Sequence, residues 1–394
     1  MMIGSMTVKA IWGKLMRPAF LLGVLGLFLC VPAANSQTIK DMPPPPPVPK
    51  PKPTPTPKPP AEVLDIVRVS SNLVMVPVSV TDSAGQAVQG LRVNDFRLEE
   101  EGRQQEIAEI GDPELVPLDI TLLFDVSSSV SQKGFFAFQQ EAAAAFLKQV
   151  MKPVDKAAIF TITDRAILVQ PLASTEVAAA KMLTIPAATS PVPTAFYDTV
   201  SAAAKYLNEN SPGRHRRVII VLSDGDDNFS ERIKDLTLAE VRASQSGSQT
   251  PSAARVGLQA RHRQAVLDVQ QAVQKADATF YSVNPGGPSV RLNDISMRAE
   301  LGMQSIADAT GGTASVPDSD KDLEAVFRQV AAELRGQYLL QYYANAEASP
   351  GQFRRIKVRV PTHSDARVRA RQGYYPKQDR IESGRAKDDK KQVP

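Results

Sequence analysis

Carboxylate and hydroxyl side chains occur at three separate points of the sequence, in a pattern that suits a divalent cation. One carboxylate and two alternate hydroxyls come from Asp125, Ser127 and Ser129, a further hydroxyl comes from Thr194, and a second carboxylate comes from Asp224. A small set of hard oxygen donors suits Mg²⁺, which tends to keep some of its water when it binds protein. The sequence therefore predicts a site for Mg²⁺ (or Mn²⁺) that leaves one coordination position for an external oxygen.

The predicted secondary structure brings these three points together. Asp125 ends the apolar run Ile120–Phe124, and Asp224 follows closely on the run Val218–Leu222. Both runs have the continuous apolar character of strands buried on two faces. Open α/β sheets bind ligands outside the carboxyl ends of their strands, so we expect both carboxylates at that edge. Thr194 stands between them in the chain, at a predicted loop-to-helix junction.

From about Leu115 to Arg335, predicted strands alternate with predicted helices. Such alternation is typical of a mostly parallel sheet with helices on both faces, so we predict a doubly wound α/β fold. The segment Ala243–Ala254 has no periodicity and is expected to be a surface insertion. The predicted strands are Ile120–Phe124, Ala157–Thr163, Ala166–Val169, Val218–Leu222 and Thr279–Val283, and the predicted helices begin near Phe135, Ala195, Leu258, Met303 and Asp320.

The polar residues and their order resemble the metal-ion-dependent adhesion site (MIDAS) of von Willebrand factor type A (VWFA) domains. This resemblance implies a Rossmann-like α/β domain in which the two serines and the threonine bind the metal directly or through water, and the aspartates complete the shell. It also implies that an acidic side chain of a ligand fills the open position. With its flanking strands, the chain resembles the exported bacterial VWFA-related proteins of the acidobacterial type. The matching residues are Asp125, Ser127, Ser129, Thr194 and Asp224.

The loop before the threonine departs from the family pattern. VWFA domains often have Gly-Gly-Thr where this chain has Val192-Pro193-Thr194. Proline stiffens the loop and removes a backbone donor, but the threonine is retained, so we still expect metal binding. The alternative is a metal-free domain in which these polar side chains only cap helices and close turns. Asp226 and Asp227 are expected to be solvated loop charges and not ligands.

Short strands flank the predicted α/β domain (115–335) on both sides. Residues 63–112 contain the β-rich run Leu73–Val80, and residues 336–376 contain three further strand segments. Each part is short for a β domain of its own. Because the two ends of a doubly wound domain can lie close together, we predict that both segments form one β-sandwich.

The first 36 residues have the features of a secretory signal peptide. Lys9, Lys14 and Arg17 precede an apolar stretch at 19–34, and Ala34-Asn35-Ser36 suits cleavage before the next residue. An uncleaved membrane anchor is the alternative, but the apolar run is short for a bilayer. Removal of the three basic residues would lower the net charge from +4 to +1, so overall charge indicates no particular partner.

The hydrophobic content and the number of cysteines exclude two classes of protein. The 394 residues are 43% hydrophobic, which excludes wholesale disorder, and a single cysteine excludes a disulfide-stapled scaffold. Residues 37–62 are predicted to be a proline-rich linker that acts as a semi-rigid stalk, and residues 377–394 a disordered tail. We therefore expect an exported protein that is periplasmic, associated with the cell surface or secreted, with no integral membrane span after signal cleavage.

An enzyme is not expected. A nucleophilic serine needs a base within hydrogen-bond reach, and none of the three histidines, His215, His262 and His363, lies at the predicted carboxyl edge. Neither Gly-x-Ser-x-Gly nor His-Glu-x-x-His occurs in the sequence.

Alternating basic residues near the end of the chain favour a second hypothesis. A period of two places each basic set on one face of a strand, and paired strands could then bind an anionic cell-envelope polymer or lipid head groups. The simpler interpretation is a solvated outer face whose charges discourage aggregation. The two sets are Arg355, Lys357 and Arg359, and Arg367, Arg369 and Arg371.

Together these observations predict a non-enzymatic, exported binding module of the adhesion type. Its partner would be a protein with an exposed acidic side chain, bound through the divalent cation. The alternatives are a metal-independent scaffold and a polyanion binder that uses the basic C-terminal strands. No nucleic-acid role is expected.

Overall fold

The computed structural model describes residues 73–127, 136–235, 238, 242, 252–287, 294–318, 320–344 and 351–376. All of these belong to one compact unit of the chain. The predicted signal peptide, the proline-rich linker, the C-terminal tail and the candidate ligand Ser129 lie outside the described residues, and their assignments stay predictions.

Four short strands and one turn of 3₁₀ helix (Val93–Asp95) open the described part of the chain. The second and third strands form a hairpin whose turn residues, Glu101 and Gly102, have φ values of 49° and 76°. Positive φ at both central residues is the turn geometry that matches the natural twist of a hairpin. The strands are β1 (Leu73–Thr81), β2 (Arg97–Glu100), β3 (Arg103–Gln105) and β4 (Glu109–Gly111).

A six-stranded sheet in the order β10-β9-β8-β5-β6-β7 forms the centre of the molecule. Its strands pair in parallel except for β7, which runs antiparallel to β6 at one edge. Every residue of β5, β8 and β9 is buried, as continuous apolar runs require when both faces are covered. The strands are β5 (Leu118–Asp125), β6 (Lys156–Ile162), β7 (Ala166–Ala173), β8 (Arg216–Leu222), β9 (Ala278–Val283) and β10 (Ala314–Ser315).

Among the described residues, six helices of eight residues or more cover this sheet and enclose two apolar cores, one on each face. The first core lies between the sheet and helices α1, α2 and α6, and the second lies between the sheet and helices α3, α4 and α5. This is the doubly wound arrangement. The helices are α1 (Phe136–Val150), α2 (Thr175–Met182), α3 (Phe196–Asn210), α4 (Ser252–Lys275), α5 (Asp294–Thr310) and α6 (Asp320–Arg335).

The structure differs from the predicted elements most clearly in three helices. Helix α2 was not expected, because its eight residues are short and rich in alanine. Helix α5 begins at Asp294, nine residues before the predicted start at Met303. Helix α4 begins at Ser252, so the end of the predicted insertion Ala243–Ala254 is helical, whereas 243–251 lie outside the described residues.

Four strands near the end of the chain combine with the first four in two antiparallel sheets, ordered β13-β1-β11-β4 and β14-β12-β2-β3. Val76 lies opposite Leu340, and Val358 lies opposite Leu98. Both sheets contribute to a third apolar core, so they pack face to face as a sandwich. The added strands are β11 (Tyr338–Tyr343), β12 (Arg354–Arg359), β13 (Arg367–Ala370) and β14 (Gly373–Tyr374).

The mixed α/β architecture, with a mostly parallel sheet and separate antiparallel sheets, agrees with the predicted fold class and is compatible with a VWFA-like fold. Within the part of the chain that the structure describes, we find no helix with the length and apolar character needed to cross a bilayer.

Candidate metal site

Asp125 is the last residue of β5 and is completely buried. Its Oδ1 accepts a hydrogen bond from the Ser127 backbone N–H (2.8 Å), and its Oδ2 accepts one from the Ser223 hydroxyl (2.5 Å). Burial, together with the nearby charge of Asp224, raises the pKa of the Asp125 carboxyl to about 7. The protein therefore holds at this point a carboxylate that is costly to ionise without a compensating charge.

Ser127 follows Asp125 at the carboxyl edge, by which we mean the end of the central sheet where β5, β6 and β8 finish. Its backbone hydrogen bond to Asp125 closes a tight turn, and only 1% of its surface is exposed. A side-chain hydrogen bond also links Ser127 to Asp125, and it lowers the pKa of the carboxyl against the larger effect of burial. The first serine of the predicted set thus lies beside the buried carboxylate.

Thr194 lies in the loop that precedes α3. The next residue, Ala195, donates its backbone N–H to the carbonyl of Thr163 at 2.7 Å, and Thr163 directly follows β6. This bond brings the loop to the carboxyl edge. Thr194 is buried there, with 3% of its surface exposed.

Asp224 stands two residues beyond the end of β8, which is the neighbour of β5 in the sheet. It is half-buried, and its Oδ1 accepts a hydrogen bond from the Asp226 backbone N–H (3.3 Å). Its charge also acts on Asp226, whose pKa is raised to about 6, mainly by burial and then by Asp224. Asp125, Ser127, Thr194 and Asp224 therefore all lie at one edge of the sheet.

The expectation that Asp227 is a solvated charge is wrong. It is 3% exposed, and burial raises the pKa of its carboxyl despite four hydrogen bonds that lower it. Those bonds come from the backbone N–H groups of Tyr197, Phe229 and Ser230 and from the Ser230 hydroxyl. The spacing Asp227-x-x-Ser230 could have indicated a local turn, but its contact with the start of α3 is not visible in the sequence.

The donor set fits a hard divalent cation. Asp125 and Asp224 supply carboxylates, and Ser127 and Thr194 supply hydroxyls, which are the oxygen ligands that Mg²⁺ and Mn²⁺ prefer. Across the described ranges, no three His, Cys, Asp or Glu side chains come together to hold a metal. A cation at this edge would therefore depend on the hydroxyls and on water as well as on the two carboxylates.

The histidines lie in three different environments. His215 is at the amino edge, the opposite end of the central sheet, where its Nδ1 lies 2.9 Å from Asp119 Oδ2. His262 is buried in α4 with its Nδ1 3.2 Å from the Tyr197 hydroxyl, and burial lowers its pKa to about 3. Through Tyr197 it contacts the first turn of α3, nearer the candidate site than the sequence indicated. His363 is exposed in the sandwich.

The two basic sets lie on or next to strands of different sheets, and Lys357 of the first set lines one cavity together with Arg369 and Arg371 of the second. Arg355, Lys357 and Arg359 are exposed on β12, where Arg359 pairs with Glu99 at 3.1 Å. In the second set, Arg369 pairs with Glu333 at 2.6 Å, and the buried Arg371 pairs with Asp277. Arg369 and Arg371 therefore link the sandwich to the α/β part.

No family model matches this chain, and no curated protein matches it. Among solved structures, the chain is similar to proximal thread matrix protein 1 from the mussel byssus, with 14% identity over 59% of this chain and 50% of that one, at a TM-score of 0.36. A second structure of the mussel protein carries zinc in its MIDAS motif. BatB from Bacteroides thetaiotaomicron has 13% identity over 54% of this chain and 97% of its own, at a TM-score of 0.35.

The PilB minor pilin from Streptococcus sanguinis is similar at 11% identity, over 56% of this chain and 62% of its own, at a TM-score of 0.39. The present chain spans about half the length of the mussel protein. At such identities and TM-scores, neither a ligand nor a partner carries over from these proteins, and the site has to be judged from its own residues.

Proposed function

We propose that this chain is an exported, non-enzymatic binding module that holds Mg²⁺ or Mn²⁺ through Asp125, Ser127, Ser129, Thr194 and Asp224. The observation that carries the proposal is the completely buried Asp125 carboxylate, placed close enough to Asp224 for the two charges to interact. Two neighbouring carboxylates in a poorly solvated site repel each other unless a cation lies between them.

The arrangement leaves a role for the partner. Two carboxylates and a few hydroxyls do not fill an octahedral shell, so water or an external oxygen completes it. A carboxylate oxygen from a partner protein is a hard donor of the kind that these ions prefer, and it would take the position that the protein leaves to water. Binding of that kind would be lost on chelation, whereas attraction to an anionic polymer would be lost in high salt.

Calorimetric titration of Mg²⁺ and Mn²⁺ into the purified, EDTA-treated protein tests the metal site. We expect saturable binding by the wild type and none by Asp125→Ala. The matched control is Asp164→Ala, which removes a partly exposed carboxylate from the loop after β6 and should bind as the wild type does. If the wild type binds neither ion, or if Asp125→Ala binds as well as the wild type, the proposed site is wrong. The metal-independent scaffold and the polyanion binder would then be the remaining hypotheses.

A further inference from the structure

The segment 227–230 follows the candidate ligand Asp224. It contacts the loop that carries the candidate ligand Thr194. The backbone N–H groups of Asn228 and Phe229 donate to the carbonyl of Thr194 at 3.1 and 3.0 Å. In return, the Thr194 N–H donates to Asn228 Oδ1 at 3.0 Å. Both backbone polar groups of the threonine are therefore bonded to this segment, which we call the 227–230 loop.

Asp227 fixes the shape of the 227–230 loop and joins it to α3. Its Oδ1 accepts the N–H groups of Phe229 (3.1 Å) and Ser230 (3.0 Å). Its Oδ2 accepts the Ser230 hydroxyl (2.6 Å) and the N–H of Tyr197 (2.8 Å), in the first turn of the helix that follows Thr194. One buried carboxylate thus holds the loop and the start of α3 in a single arrangement.

Pro191 and Pro193 stand in the loop just before Thr194. Neither proline has a backbone N–H to donate, which limits the hydrogen bonds that this stretch of backbone can form. The backbone sets the direction of the Cα–Cβ bond and limits the rotamers open to the hydroxyl, and here both the N–H and the C=O of Thr194 are bonded to the 227–230 loop. The position of the threonine hydroxyl therefore depends on that loop.

Building on the proposed function, we propose that Asn228 and Asp227 are positioning residues that hold the Thr194 hydroxyl toward the cation. They couple the loop that carries Thr194 to the loop that carries Asp224, so that two ligands from distant parts of the chain keep one relative placement. Groups that orient the ligands of a metal commonly change its affinity 10–100-fold when they are removed.

The variant Asn228→Ala tests this role, because it removes the acceptor of the Thr194 N–H and leaves the backbone donors in place. Phe229→Ala is the matched control, since it removes an exposed side chain of the same loop and keeps the N–H that bonds Thr194. Hydrogen–deuterium exchange of peptides covering 187–199, measured in EDTA, reports on the loop without any metal. We expect faster exchange at Thr194 in Asn228→Ala and unchanged exchange in Phe229→Ala.

Mg²⁺ titration of the same proteins gives the second readout. We expect an affinity about tenfold weaker in Asn228→Ala, with an unchanged unfolding temperature in EDTA, and a wild-type affinity in Phe229→Ala. Asn228→Asp, which keeps the acceptor oxygen, should restore slow exchange at Thr194. If Asn228→Ala does not fold, Asn228→Ser takes its place, and we expect it to show the same faster exchange at Thr194 and the same weaker Mg²⁺ affinity.

Two results overturn the inference in different ways. Wild-type exchange at Thr194, or wild-type Mg²⁺ affinity, in Asn228→Ala would show that the 227–230 loop does not position the threonine, while the proposed metal site would stand. Absence of Mg²⁺ and Mn²⁺ binding in the wild type would overturn both the inference and the proposed function.

Discussion

The amino and carboxyl edges of the central sheet both bury charged side chains, but the partners of these side chains differ between the two edges. At the amino edge, Arg216 donates to the carbonyl of Leu334 at the end of α6 (2.7 Å). Arg217 donates to the carbonyls of Ala276 and Ser211, each at 2.7 Å, which follow α4 and α3. Cations at the carboxyl ends of helices meet unpaired carbonyl groups and the negative end of the helix dipole.

At the carboxyl edge the buried charges are negative and close together. The pKa of Asp125 and that of Asp226 are both raised, by burial first and by Asp224 second. Within the described residues, Asp125 forms no ion pair with a lysine, arginine or histidine. The buried arginines of the amino edge therefore have partners inside the protein. At the carboxyl edge Arg298 lowers the pKa of Asp226 only in part, and a bound cation would offset the negative charge that remains.

The largest expected effect concerns pH at the carboxyl edge. A folded-state pKa of about 7 against a usual value of 3.8 means that the Asp125 carboxyl stabilises the fold at low pH, and that this stability is lost as the pH rises from about 4 through 7. Asp226, with a pKa raised to about 6, acts in the same direction. In EDTA, the Asp125 carboxyl alone should lower the free energy of unfolding by up to about 4 kcal/mol over this window.

Chemical denaturation at several pH values in EDTA measures this loss. Asp125→Asn should remove most of it, and Asp164→Asn should not. If the proposed site binds Mg²⁺, adding the ion should restore stability to the wild type above pH 7, because the bound ion would offset the charge of the ionised carboxylates. A wild-type stability independent of pH between 4 and 8 would contradict the contrast between the two edges.

At the amino edge, Arg216→Met should lower the free energy of unfolding by about 3 kcal/mol, because the Leu334 carbonyl at the end of α6 loses its donor inside the protein. Mg²⁺ affinity should not change, since the substitution lies at the opposite end of the sheet. Arg328→Met is the control, because its surface ion pair with Glu324 contributes at most about 1 kcal/mol. Urea denaturation measures both free energies of unfolding. Equal decreases in Arg216→Met and Arg328→Met would show that the bond from Arg216 to the end of α6 does not stabilise the fold.

Gly311→Ala should cost about 2 kcal/mol at the contact between α5 and β13. Gly311 has a φ of 87°, and a Cβ there would lie 2.7 Å from the backbone of Ala370 and Arg371. Gly213→Ala is the matched control, because nothing lies within 4 Å of its Cβ position. A thermal unfolding temperature that falls in Gly311→Ala and stays unchanged in Gly213→Ala would show that the close contact of Gly311 with β13 stabilises the fold.

The smallest effect is expected on the exposed face of β12. Arg359→Ala should change the free energy of unfolding by less than about 1 kcal/mol, because the pair with Glu99 is partly exposed and screened by salt. Mg²⁺ titration should be unaffected. If Arg359→Ala instead lowered the free energy of unfolding by several kcal/mol, and 0.5 M salt did not change that loss, the exposed face of β12 would have a structural role.

The strands and helices with a strong periodic signal could be predicted from the sequence, and so could the placement of Asp125 and Asp224 at one edge of the sheet. Continuous apolar runs such as Ile120–Phe124 identify buried strands, and parallel strands place their carboxyl ends together, so Asp125 and Asp224 could be expected to meet. Helix α2 could not be predicted, because its alanines carry little amphipathic signal and the helix is stabilised by packing against α1 and the sheet.

The roles of Asp227, Arg216 and Arg217 were beyond sequence reasoning for a different reason. Each depends on partners far away in the chain, such as Tyr197 for Asp227 and Leu334 for Arg216. Charged residues are solvated in most proteins, so a local pattern favours exposure. The tertiary contacts that bury them can be read only once the strands and helices are in place.

The pairing of β4 with β11 has a consequence for the order of folding. Gly111 and Leu339 lie opposite each other, so the chain leaves the sandwich and returns to it at neighbouring positions, with the whole α/β part in between. Closing so long a loop before that part has folded would be entropically costly. We therefore expect the α/β part to fold first. Its folding would bring β4 and β11 together, and the sandwich would form last. Pulsed hydrogen exchange during refolding should then show β5 protected before β1.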